Sequence, residues 1–174
     1  MKIVRLECFI HLDGTNGRIH INCGHDVANG FDVGAEYSGR NHHNVTDTID
    51  TATPMSELAP IYRTKRWADC LYQFSMKPFP AGHAYTVRIN FVETSFNVVG
   101  KRVFNVEING KRVPSDFDGL QSTCSKDKAL AKEFSNIAPN DDGKILIEFE
   151  DSSAAKPDIN ATEISSAESS RTMQ

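Results

Sequence analysis

The sequence predicts an all-β protein, an antiparallel β-sandwich. Three observations predict it. Apolar and polar residues alternate with a period of two in one run after another. Turn chemistry separates the runs roughly every ten residues. Almost no stretch carries the three-to-four-residue apolar stripe of a helix. The clearest strand is Tyr85-Thr86-Val87-Arg88-Ile89-Asn90-Phe91. Phe104, Val106 and Ile108 then alternate with Val103, Asn105, Glu107 and Asn109, and Asn109-Gly110 precedes Lys111-Arg112-Val113. Asn-Gly between alternating runs is a strong hairpin signal, because a type I′ turn needs φ > 0 at both central residues.

The remaining elements follow the same logic. Ile3, Leu6, Cys8 and Ile10 outline a first strand, residues 12–17 a turn, and Arg18 to Gly24 a strand ending in glycine. Residues 24–60 are polar and irregular, and a loop of that length inside a domain is usually functional or poorly ordered. Ile61-Tyr62 leads into Arg63-Thr64-Lys65-Arg66-Trp67, and Leu71 to Met76 alternates again. Pro78 to Gly82 is a turn. A second loop is expected after Asp118, through Gly119 and Ser122 to Ser125. Ala129 to Phe134, extended by Ile137, reads as a strand rather than a helical turn. Asn140-Asp141-Asp142-Gly143 is expected to close a hairpin into Lys144–Phe149, and Asp158–Ile164 to form one last strand. Residues 1–164 make one domain, and the unpatterned residues 165–174 a tail or linker.

Bulk properties exclude several classes. The 174 residues are 39% hydrophobic and 24% charged, with 19 Lys and Arg against 23 Asp and Glu. A net charge of −4 argues against nucleic acid as a partner, since phosphate binding needs a concentrated basic surface. The basic groups Arg63-Thr64-Lys65-Arg66 and Lys101-Arg102 read as solvated strand edges. No apolar run approaches the ~20 residues of a membrane span. Arg5 and Glu7 interrupt any signal-peptide core, so the chain reads as cytosolic or as an excised part of a larger protein. Cys8, Cys23, Cys70 and Cys124 form no CxxC pair; buried thiols are favoured over disulfides. Adjacent His42 and His43 would point oppositely on a strand, which is poor geometry for a metal. No cofactor motif is present. Glu93 with Asp118 is the only carboxylate pair to nominate for glycoside hydrolysis, and nothing orients it, so no enzyme is expected.

Several segments together resemble the malectin-type domain, over residues ~18–164. They are Ile21-Asn22-Cys23-Gly24, Tyr62-Arg63-Thr64-Lys65-Arg66-Trp67, Tyr85 to Glu93, Lys101 to Gly110, Asp116-Phe117-Asp118 and Ile159 to Ile164, in the family's order. The resemblance implies a jelly-roll or galactose-binding-like sandwich that binds carbohydrate and does no chemistry. It also allows an ER-lumenal or extracellular setting. It places binding aromatics at Trp67, Phe96 and, within Glu36-Tyr37-Ser38-Gly39, Tyr37. Two positions depart from the family's pattern. Ser95 stands where an aromatic precedes Phe96, and Ala155-Lys156 replace an acid before Pro157.

The expected ligand-binding set is therefore Tyr37, Trp67 and Phe96 as stacking faces, with Glu93 and Asp118 as hydroxyl partners. Each has a competing structural reading. The aromatics can cover core, Glu93 can pair with Arg88, Arg63 or Arg66, and Asp116 with Asp118 can stabilise a turn. Tyr62 and Tyr72 read as sheet packing, and Asn22 and Asp32 as loop-backbone partners. Two N-glycosylation patterns occur, Asn44-Val45-Thr46 and Asn160-Ala161-Thr162. Both read as chance, and the second falls on a strand. The expected partner is a glucose-containing oligosaccharide. The alternative is a protein partner, the sandwich serving as an interaction module of a larger chain.

Overall fold

The structure is a computed structural model that describes residues 7–10, 18–24, 30–33, 42–51, 56–67, 70–75, 82–113 and 116–166. Its strands in chain order are β1 Glu7–Ile10, β2 Arg18–Asn22, β3 Asp32–Val33, β4 His42–Asn44, β5 Thr64–Trp67, β6 Cys70–Ser75, β7 Tyr85–Val92, β8 Phe104–Ile108, β9 Lys111–Arg112, β10 Ala129–Ile137, β11 Lys144–Asp151, β12 Asp158–Ile159 and β13 Ala161–Ser166. A 3-10 helix spans Ser56–Arg63, and a short α-helix, α1, spans Gly119–Thr123.

Two five-stranded sheets, ordered β1-β6-β11-β8-β9 and β10-β7-β13-β2-β3, face each other. A three-stranded sheet, β12-β5-β4, stands at one end. Pairing is antiparallel except for β1 with β6 and β2 with β3. The alternation explains the packing. Val87, Ile89 and Phe91 of β7 and Ile19 and Ile21 of β2 meet Phe104, Val106 and Ile108 of β8 and Ile145, Ile147 and Phe149 of β11 in one core. Burying such a side chain fully contributes ~1.5–3 kcal/mol. A second cluster covers the outer face of the second sheet. There Ile61 and Tyr62 of the 3-10 helix, with Phe31, pack on Val92, Ala129 and Ala161. Tyr62 Oη donates to Asn90 Oδ1 at 3.0 Å beneath it.

The sandwich, the β7 strand, the β10 strand and the Asn109-Gly110 hairpin match expectation. Asn109 and Gly110 have φ of 51° and 74°, both left-handed. Other expectations are corrected. Residues 24–60 hold β3, β4 and the start of the 3-10 helix. Asn140 to Gly143 is a tight turn, its Asn140 Oδ1 accepting from the Asp142 and Lys144 N–H groups. It closes no hairpin, because β10 pairs with β7 while β11 pairs with β6 and β8 in the opposite sheet. Turn chemistry reverses the chain but does not choose the partner strand.

The expected loop after Asp118 is α1. The Asp118 carboxylate caps it by accepting from Gln121 N, Leu120 buries its apolar face, and Cys124 ends it at φ 57°. Asp118-Gly119-Leu120-Gln121 carries the acid-x-x-Gln spacing of a capping box, a signal the composition of the segment obscured. The last strand is two. Asn160 breaks it, so that β12 joins β5 while β13 joins β2 and β7. The basic segment is only partly solvated: Arg63 is exposed, whereas Lys65 and Arg66 are buried.

Candidate ligand-binding site

The loop from Thr94 to Val103 joins β7 to β8 at the end of the sandwich, and two carboxylates hold it. Glu93, one residue past β7, accepts from the backbone N–H of Ser95 at 2.7 Å and of Phe96 at 3.0 Å through Oε1. Its Oε2 accepts from Arg102 Nη1 at 2.6 Å. Asp118, the α1 cap, also accepts from Gly100 N at 2.6 Å. One acid therefore pins the start of the loop and the other its tip. Asp116 is placed differently. Its φ of 50° breaks the strand alternation, so that Asp116 is exposed while Asp118 is buried.

Arg102 is the hub. Besides Glu93 it donates from Nη1 to Asp158 Oδ2 at 2.6 Å and from Nε to the Lys156 carbonyl at 3.0 Å. Asp158 Oδ2 also accepts from Lys65 Nζ at 2.8 Å, and that ammonium donates to Thr94 Oγ1 at 2.7 Å. The guanidinium carbon lies 5.0 Å from the centroid of the Phe96 ring, a cation–π contact. Two cations and two carboxylates thus neutralise one another under the loop, each side chain at most 11% exposed. Buried charges persist only when paired and hydrogen-bonded in this way.

Trp67 ends β5. Its backbone faces Asp158 across the β5–β12 pairing, so Trp67, Lys65 and Asp158 share one face of the small sheet. Trp67 is 42% exposed. The other large apolar side chains exposed among the described residues are Val98 at 54% and Val99 at 53%, on the same loop as Phe96. Residue contacts therefore link Trp67 to Phe96 through Asp158 and Arg102.

The structure treats the five predicted positions differently. Trp67 is half-open to water, and Phe96 is half-buried against Arg102. Glu93 and Asp118 lie at the same end, but both oxygens of each are already engaged by the chain itself. The partner of Glu93 is Arg102. Arg88 instead pairs with Glu133 and Glu163, Arg63 donates to the Asp47 carbonyl, and Arg66 Nε donates to the Cys23 carbonyl. Tyr37 lies outside the described residues, as does the side chain of Tyr72.

Sequence reasoning missed Arg102, Asp158 and Lys65. Arg102 and Asp158 stand 56 positions apart, and no local pattern joins them. Asn22 does what was expected, its Oδ1 accepting from Gly24 N and Thr64 Oγ1. Cys23 is a buried free thiol and Cys124 an exposed one. Among the described residues no group of three His, Cys, Asp or Glu side chains is placed to hold a metal ion. Among them no helix is long and apolar enough to cross a membrane.

The family model for the malectin domain matches residues 18–166. The chain belongs to the malectin domain family. That span carries every residue of the network just described. The family is one of non-catalytic binding modules with a carbohydrate-binding-like fold. This malectin domain has no match among curated protein sequences.

Its fold is shared by solved structures of low identity. The extracellular domain of ANXUR2 from Arabidopsis thaliana superposes with a TM-score of 0.73 at 18% identity, covering 93% of this domain and 54% of that chain. ANXUR1 from the same plant gives 0.72 at 18% identity, with 85% and 47% covered. A Bacteroides uniformis β-glucuronidase gives 0.64 at 18% identity, with 86% and 18% covered. The chain thus spans about half of the receptor ectodomains and under a fifth of the enzyme.

Proposed function

We propose that this malectin domain is a non-catalytic carbohydrate-binding module whose site lies where β5 meets the β7–β8 loop. Trp67 carries the reading. A ring 42% exposed at the end of a strand, beside a charge network that holds its surroundings rigid, offers a flat apolar face to the C–H side of a sugar. Phe96, set by Arg102 and by the Glu93 carboxylate on its N–H, supplies a second face. Tyr37 is the third aromatic of the proposed set. Glu93 and Asp118 serve this site by shaping the loop, and a saccharide hydroxyl reaches either only by sharing an oxygen that a backbone N–H or Arg102 already uses. A shallow site of this kind binds weakly, with Kd on the order of 10–1000 μM.

A second reading is favoured by Val98 and Val99, exposed beside Phe96. An apolar loop tip suits a protein partner, and the similar FER ectodomain was solved in complex with the peptide RALF23 and LLG2. A glycan array probed with the purified domain and with Trp67→Ala decides between them. Sugar binding lost in the variant, with an unchanged circular dichroism spectrum, supports the carbohydrate module. Silence of the wild-type domain across α- and β-glucans supports the interaction module.

A further inference from the structure

The two Asn-x-Thr patterns have opposite fates in the fold. Asn44 ends β4, which is the edge strand of the three-stranded sheet among the described residues. Asn44 and Thr46 are both exposed. Between them Val45 is buried, and its N–H donates to the Arg63 carbonyl at 2.7 Å. The middle residue anchors the segment while the acceptor amide and the hydroxyl both face water.

Asn160 is the reverse. It is fully buried at the corner where β12 leaves for β5 and β13 leaves for β2 and β7. Its Nδ2 donates to the Thr64 carbonyl at 2.9 Å and the Tyr62 carbonyl at 3.5 Å, and its Oδ1 accepts from Val92 N at 2.9 Å. Its own N–H donates to the Asn90 carbonyl, and its carbonyl accepts from Cys23 N. There is no room at that amide for a sugar ring.

We propose that Asn44 is an N-glycan acceptor of this domain and that Asn160 is not. The transfer joins Asn44 Nδ2 to the anomeric carbon of a polyprenyl-diphosphate-linked oligosaccharide. The C–O bond to the diphosphate breaks, the diphosphate leaves with the electron pair, and the amide gives up one proton. A bulky hydrophilic glycan at an exposed strand edge stays in water and disturbs no packing. It also covers the backbone edge that β4 presents among the described residues against pairing with other chains. Asn44 pairs with Thr64, at the opposite end of β5 from Trp67, so the glycan leaves the proposed sugar face open.

The test secretes the whole chain from eukaryotic cells behind a heterologous leader and maps glycosylated peptides by mass after peptide N-glycosidase treatment in heavy-oxygen water. One glycan, at Asn44, is expected. It should vanish in Asn44→Gln and in Thr46→Ala, and persist in Thr162→Val, which destroys the second pattern but keeps the Asn160 amide. Secreted protein bare at Asn44, or carrying a glycan at Asn160, overturns the proposal. Any variant retained in the cell is mapped from the lysate, where a bare Asn44 in chains that still carry Thr46 overturns it equally.

Discussion

Arg102 ties together the β7–β8 loop, β12 and the Phe96 ring with one guanidinium. Replacing it with Met keeps the apolar stem but leaves Glu93 and Asp158 buried without it. Removing one partner of a buried ion pair costs ~3–5 kcal/mol, and the remaining Lys65 and backbone donors bring the expected loss here to ~2–3 kcal/mol. Urea unfolding of Arg102→Met measures it. The same substitution should weaken ligand binding more than the stability change explains, because the Phe96 ring loses its support. Gly24 is the second sensitive residue. A Cβ there would stand 1.8 Å from Thr64 Oγ1 and 2.1 Å from Thr64 Cβ, beside the Asn22 side chain that bonds both residues. Gly24→Ala is expected to destabilise by at least ~2 kcal/mol, as overpacking a fixed site does. It should show as a lower urea midpoint.

At the scale of elements, the β8–β9 hairpin tests backbone strain alone. Gly110 sits at φ 74° with open space around a Cβ, so Gly110→Ala meets no clash. It should cost only ~1 kcal/mol, the left-handed penalty for an L residue, and leave the fold intact by circular dichroism. The neighbouring Asn109 does more. Its Oδ1 accepts from Leu146 N and its Nδ2 donates to the Ala138 carbonyl, so the turn is tied to both the start of β11 and the end of β10. A hairpin that is legible as two residues of turn chemistry is in the structure a junction of the two sheets. The corner at Asn160 works in the same way. One amide satisfies the backbone of the 3-10 helix, β5 and β7, which lets the chain leave one sheet and enter another without orphaned polar groups.

For the molecule as a whole, the buried tyrosines predict a loss of stability at alkaline pH. Burial pushes the Tyr62 hydroxyl well above its ordinary value of 10.0, with Glu163 adding to the rise and Arg88 opposing it. Burial raises Tyr85 as well. Both keep their proton to higher pH in the folded chain than in the unfolded one, so their contribution is complete below pH ~10 and falls as pH rises past it, where the unfolded chain ionises first. Urea midpoints at pH 8, 10 and 11 should decline across the last two, and Tyr62→Phe should flatten that decline.

The sequence by itself determined the strand alternation, the type I′ turn, the order of family motifs and hence the sandwich. Each of these is a local matter of backbone conformation or of which face a side chain takes, and residues within a few positions decide it. Trp67 and Phe96 were legible as candidate faces because their motif context is local too. Only the tertiary structure decided that β10 and β11 lie in opposite sheets, that Asn160 splits the last strand, and that Lys65 and Arg66 of the basic segment are buried. It alone brought Lys65 to Asp158 across 93 positions and made Glu93 a loop anchor for Arg102. Those outcomes depend on which distant strands pair, and the pairing is set by the shared core rather than by any pattern along the chain.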